Sequence, residues 1–181
     1  VAHALSTHAV DVEMDFYTAV DDLQPDEDTG AGMMGIIEFN SACFYRYAVV
    51  HLDQLLANLH GDSDSAKAAA LGFVKAAVAA IPSGKQNSMA AHNPPDYVRV
   101  KVRDGGSPCS LANAFARPVR VNRRDDDLVA QSIAALEAHD DALAGMYGRE
   151  GVRVDTRAST RTSHRDGNLT ELFSAIAEAL A

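Results

Sequence analysis

The stretch from Phe16 to Tyr47, FYTAVDDLQPDEDTGAGMMGIIEFNSACFYRY, constrains the fold more than any other. Its ends are rich in β-formers, and its middle is an acidic, Gly-containing connection of about a dozen residues. That pattern predicts a long hairpin arm over 14–40 that leaves a sheet and rejoins it. Such an arm has no core of its own, so its work lies outside the domain that carries it. Phe16 and Tyr17 are consecutive, so on a strand they face opposite ways and cannot both pack on one core. Met34, between Met33 and Gly35, is unbranched and adaptable. From Asp11 to Asp28 there are 8 acids and no base, which would repel phosphate and leave stacking as the tip's mode of contact. The competing reading is a small satellite core closing the hairpin.

Around the arm, elements follow from spacing and punctuation. Val1 to Glu13 alternates loosely and reads as a strand, although VAHAL is also a helical start. Ala42 to Leu52 reads as a second strand passing into a short helix, Asp53 to Leu59, that Gly61 ends. Asp62 or Ser63 caps the next helix, with Leu71, Val74, Val78 and Ile81 at helical spacing and Pro82-Ser83-Gly84 as its stop. Gln86 to Ala91 and Tyr97 to Arg103 read as strands around the turn Asn93-Pro94-Pro95-Asp96. In the second, Val98, Val100 and Val102 share one face, while Arg99, Lys101 and Arg103 share the other. Two long helices follow, on Val129, Ile133, Leu136, Leu143 and Tyr147, and on Leu169, Leu172, Phe173, Ile176 and Leu180. The Arg149–Arg165 ladder between them, with Gly151, Val154 and three Thr, reads as a linker over 149–166. The sum is an α+β fold. Its expected core is a ferredoxin-like sheet with helices on one face and a basic face left open.

One core suffices for 181 residues, and hydrophobic content of 47% excludes wholesale disorder. No apolar run approaches the ~18 residues of a membrane span, and no signal segment opens the sequence. Cys43 and Cys109 make no spaced motif and read as reduced thiols, which with the other signals predicts a cytoplasmic protein. The net charge of −9 argues against nucleic acid until its distribution is read. Residues 1–84 hold 12 acids and 3 bases, whereas 85–124 hold 8 bases against Asp96 and Asp104. A local basic face suits phosphate contact because screening acts over ~8–10 Å.

Catalytic and metal chemistry is poorly supported. His3 and His8 lack a Cys or carboxylate at ligand spacing, so no metal is expected. Thr29-Gly30-Ala31-Gly32 has no following Lys-Ser/Thr and opens no helix, and no nucleophile elbow is present. Neither a cofactor nor an enzymatic activity is expected.

Seven segments occur together in a set order: VAHALSTH, DFYTAVDDL, TGAGMMG, FYRYA, LANLHG, PSGKQNSMAAHNPPD and SLANAF. In that order the chain resembles the repeating backbone subunit of the type I-E CRISPR Cascade complex. This is the CasC family of the repeat-associated RNA-binding superfamily, and the likeness runs from Val1 to about Tyr147. The pattern starts midway, so the resemblance implies the C-terminal part of a single palm-type domain, lacking the basic helix such subunits press on the guide. It also implies an RRM-like sheet and a thumb-like arm. The expected partners are a CRISPR guide RNA, target DNA through guide pairing, other copies in a filament, other Cascade subunits and the missing N-terminal half. Carried over by position, Phe16, Tyr17, Thr18 and Met34 meet bases, and Lys85, Gln86 and Asn87 meet guide backbone. Arg99 and Lys101 lie near RNA or near the next copy's acidic arm. The alternative is a metal-dependent ribonuclease of the same superfamily that uses carboxylates such as Asp21 and Asp22.

Overall fold

A computed structural model describes residues 1–19, 33–121 and 126–181, with the backbone alone at 18, 19, 33 and 34. Among these residues the fold is mixed α/β, with small antiparallel sheets and five helices. In chain order the elements are β1 Leu5–Ser6, β2 Glu13–Ala19, β3 Met33–Phe39, β4 Phe44–Tyr45, α1 Leu52–Asn58, α2 Ser63–Ala79 and α3 Gln86–Met89. Then come β5 Tyr97–Arg103, a 3-10 turn Ala112–Phe115, α4 Leu128–Tyr147, β6 Val152–Ser159 and α5 Leu169–Leu180. Among the described residues the strands pair only two by two, β1 with β4, β2 with β3, and β5 with β6.

The body is built on β5 and β6, paired from Tyr97↔Ser159 to Arg103↔Val152 with a bulge at Val102/Arg103. Alternation sorts their side chains as expected. Val98, Val100 and Val102 join Ala158 on one face and lie on Leu172 and Ile176 of α5, with Leu71 and Val74 of α2 beside them. Leu172 and Ile176 are the most buried large side chains. Helices α1, α2, α4 and α5 each begin on a side-chain cap that satisfies orphan amides, whereas α3 has none. Asp62 accepts from Ser65 N–H at 3.0 Å, Asp127 from Val129 and Ala130 N–H, and Asn168 forms a capping box with Glu171.

Several expectations fail here, each for a physical reason. The 149–166 segment is no linker: it holds β6, because its arginines at every fourth residue suit a strand face as well as a helix stripe. Helices cover both faces of β5–β6 rather than one, since α4 lies over the Arg99–Lys101 side. Gln86–Ala91 forms the single turn α3, not a strand. The strands anticipated over 1–13 and 42–52 shrink to two residues each, because extended backbone there bonds mostly through isolated links such as Thr7 N–H to Cys43 O at 2.9 Å. Among the described residues no helix is long and apolar enough to cross a membrane.

Strands β2 and β3 form an antiparallel ribbon, paired from Glu13↔Phe39 to Ala19↔Met33, with neither bonded to a third strand among the described residues. The excursion between them, including Asp21, Asp22 and Thr29–Gly32, lies outside the described residues. Its root is anchored by the β1–β4 pair. Thr7, 3% exposed, shares a 2.9 Å hydrogen bond with Ser132 of α4, and Tyr45 stacks at a tilt on Phe115 with 5.6 Å between centroids.

Candidate nucleic-acid interface

The ribbon's register decides what each side of it offers. Phe16 stands opposite Ile36, and Tyr17 stands opposite Gly35. Strand alternation therefore puts the two rings on opposite faces, as the sequence implied. Phe16 is 63% exposed and Tyr17 41%. Thr18 and Met34 face one another across the ribbon, and their side chains fall outside the described set.

At the ribbon's root, residues far apart in sequence converge. Val12, Glu38, Phe39 and Asn40 share an open cavity of about 300 Å³ with Met89 of α3. This places the Lys85–Asn87 turn beside the arm. Lys85 sits in the left-handed region at φ 54°, and so does Ala90 at φ 47°, so a left-handed residue brackets each end of α3. Holding a residue with a Cβ there costs roughly 1–2 kcal/mol. The turn is closed by Met89 N–H to Lys85 O at 2.9 Å, and Gln86 bonds the His92 ring through its amide. Lys85 and Asn87 are exposed and form no side-chain bond with the described residues. On the other flank of the root, Val119 bridges His8, five residues before β2, and carries exposed Arg117 and Arg120 beside it. Arg123 and Arg124 lie outside the described residues. Lys85, Arg117 and Arg120, with no ion-pair partner among the described residues, thus lie near the ribbon's base.

Arg99 and Lys101 are placed differently from the expectation. Their face is closed by α4, whose Asp140 is 5% exposed. Arg99 bonds Asp155 at 2.6 and 2.7 Å and Asp140 at 2.8 Å, while Lys101 reaches Asp140 at 2.5 Å. Burial works to raise the Asp155 carboxyl, but Arg99, with Lys101 and Arg157, outweighs it and holds the group below the usual carboxylate range. Burial likewise opposes the Arg99 charge, and Asp155 and Asp140 overcome it and raise its pKa. Nearby, Glu137 accepts from Tyr97 Oη at 3.1 Å, and His164 Nδ1 lies 2.7 Å from its other oxygen. Burial first and Glu137 second push the Tyr97 phenol up. The open basic face is therefore an internal ion-pair layer between helix and strands.

Residue reasoning passed over Asp140, Gly35 and Met89. Asp140 did carry a signal, because it falls on the buried stripe of Ile133 and Leu136 at helical spacing, where an acid needs a cationic partner. Gly35 and Met89 carried none, since their roles depend on what the fold brings opposite them. Among the described residues no group of three or more His, Cys, Asp or Glu is placed to hold a metal ion.

Comparison with known proteins gives a consistent answer. A chain of a solved CRISPR RNA-guided surveillance complex superposes with a TM-score of 0.83 at 32% identity, covering 99% of this chain and 69% of that one. A chain from a structure described as CRISPR RNA-guided surveillance complex, pre-nicking, gives a TM-score of 0.81 at 32% identity. There the match covers 99% of this chain and 54% of that one, so the chain spans about half the length of this second relative. No curated protein matches. With residues 1–179 matching the family described as CT1975-like protein, the chain belongs to that family.

Proposed function

We propose that the chain is a non-catalytic, RNA-holding structural subunit of a Cascade-type CRISPR surveillance complex, of the type I-E CasC kind. The observation that carries this is the 32% identity and 0.83 TM-score over 99% of the chain to a chain of such a complex. In this reading the Lys85, Gln86 and Asn87 turn holds the guide's backbone without regard to sequence, because phosphate contacts carry none. Arg117 and Arg120 add charge on the other flank of the arm's root. The ribbon acts as a thumb whose Phe16, Thr18 and Met34 positions approach bases, while Tyr17 lies against the ribbon itself. Arg99 and Lys101 act from within, holding α4 on the strands, rather than on RNA.

Copies stacked head to tail would track one guide, since a heterologous contact that does not close builds a filament. Pairing of the held guide with target DNA follows, and cutting is left to a separate nuclease. The test is to purify the protein from cells carrying a CRISPR array and sequence the RNA that comes with it. Repeat-containing guides are expected. Protein free of RNA, or RNA that mirrors the bulk transcriptome, would refute the reading. Cleavage of complementary RNA in Mg²⁺ that disappears in Asp21→Ala or Asp22→Ala would favour the ribonuclease alternative.

A further inference from the structure

The two rings of the ribbon are held differently, and Gly35 is the cause. A methyl group built on Gly35 would lie 2.6 Å from Tyr17 Cε1 and closer still to Cζ and the hydroxyl. The phenol therefore leans across the ribbon and lies over the bare backbone of its cross-strand partner. No side chain fits at position 35 while the ring stays there. On the same face, Ile37 stands opposite Asp15 and Phe39 opposite Glu13. That face thus pairs its apolar groups with two carboxylates and keeps Ile37 half-buried.

The opposite face has no such cover. Met14, Phe16 and Ile36 are 56%, 63% and 57% exposed, and Glu38, opposite Met14, is their one acidic neighbour on the ribbon among the described side chains. A phosphodiester strand is repelled by the Asp15–Glu13 side and meets apolar, polarizable surface on the other.

We infer that Gly35 is a seat that keeps Tyr17 folded against the ribbon, so that an unpaired nucleobase is offered the Met14–Phe16–Ile36 face alone. Tyr17 is then a positioning residue that stiffens the ribbon, and Phe16 is the ring that stacks. The inference rests on the RNA-holding reading above and sharpens it, because two consecutive aromatics otherwise look equivalent.

The test uses the whole chain, with a fluorescein-labelled single-stranded polyuridine as the probe. In NMR spectra the Gly35 α-protons should be shifted upfield by the Tyr17 ring. The shift should persist when the probe is added, survive in Phe16→Leu and vanish in Tyr17→Leu. Cross-strand contacts between positions 16 and 36 certify that the ribbon stays paired in each variant. Phe16→Leu should weaken binding roughly 5- to 150-fold, the range of one lost base stack. Tyr17→Leu should change it less than twofold. An unshifted Gly35 signal, a signal that relaxes on adding the probe, or equal losses in the two variants would overturn the inference. If neither variant weakens binding while Gly35 remains shifted, the seat stands but the ribbon's contact with bases, and with it the one-sided surface, is refuted.

Discussion

Replacing Asp140 with Ala tests most directly whether the basic strand face is internal. Its side chain is 6% exposed and receives Arg99 at 2.8 Å and Lys101 at 2.5 Å. Truncation leaves Lys101, 26% exposed, with only a 3.8 Å approach to Asp155, while Arg99 keeps its closer bond to the same carboxylate. Removing one partner of a buried pair costs about 3–5 kcal/mol, and the surviving Arg99–Asp155 contact places this case at about 3. For a chain of this size each kcal/mol moves the melting temperature by about 2–4 °C, so a fall of roughly 6–12 °C is expected. Salt should hardly change it, because buried pairs are poorly screened. Circular dichroism melts at low and high ionic strength measure both quantities. A companion triple variant, Arg99→Met, Lys101→Met and Asp140→Leu, should recover most of the loss, since an apolar replacement leaves no charge stranded. A loss below about 1 kcal/mol in Asp140→Ala, or a loss that disappears in high salt, would refute the argument by showing these groups to be solvated.

Other consequences are simpler to check. The Asp155 carboxyl is depressed in the folded chain, so its contribution is complete above the unfolded carboxylate value near ~4 and is lost as pH falls through the lower folded value; urea midpoints should be flat above about pH 5 and drop below about pH 4. Lys85→Ala should flatten the log–log salt dependence of RNA affinity by about 0.7 while leaving the melt unchanged. Lys85→Gly should flatten it equally and also raise stability by about 1 kcal/mol, because glycine occupies the left-handed region without strain. Leu172→Ala, at 1% exposure, should cost about 2–5 kcal/mol, read from chemical denaturation.

Much of the fold was legible where a residue pattern has one physical meaning. The cap at Asp62 and the alternating Val98–Val102 face both constrain the backbone locally, and both are in place. Phe16 and Tyr17, consecutive on β2, diverge for the same local reason. Less was readable where a pattern fits two periods. Arginines spaced by four fit a strand face and a helix face alike, so β6 was hidden until its partner β5 supplied the register. Gln86–Met89 looked extended because polar residues follow a Gly, yet the left-handed Lys85 and Ala90 fold it into one turn. The candidate site was half visible. Lys85 was evident as an exposed residue type and Phe16 from its alternation with Tyr17, whereas the closure of Arg99 and Lys101 by Asp140 depends on α4 docking across some forty residues of sequence, as with the 39 between Lys101 and Asp140.

The separation of α2 from its covering residues also governs how this protein emerges from the ribosome. Val74 of α2 and Leu172 of α5 belong to one core cluster, although 98 positions separate them in the chain. At synthesis rates of 5–20 residues per second, α2 waits roughly 5–20 s for the helix that covers it. The β2–β3 ribbon has no such delay, since its strands are close in sequence and hairpins form in roughly 1–10 μs. The nascent chain therefore carries an early-formed arm and a late-formed body. Throughout that interval, the apolar side of α2 has no α5 to lie against.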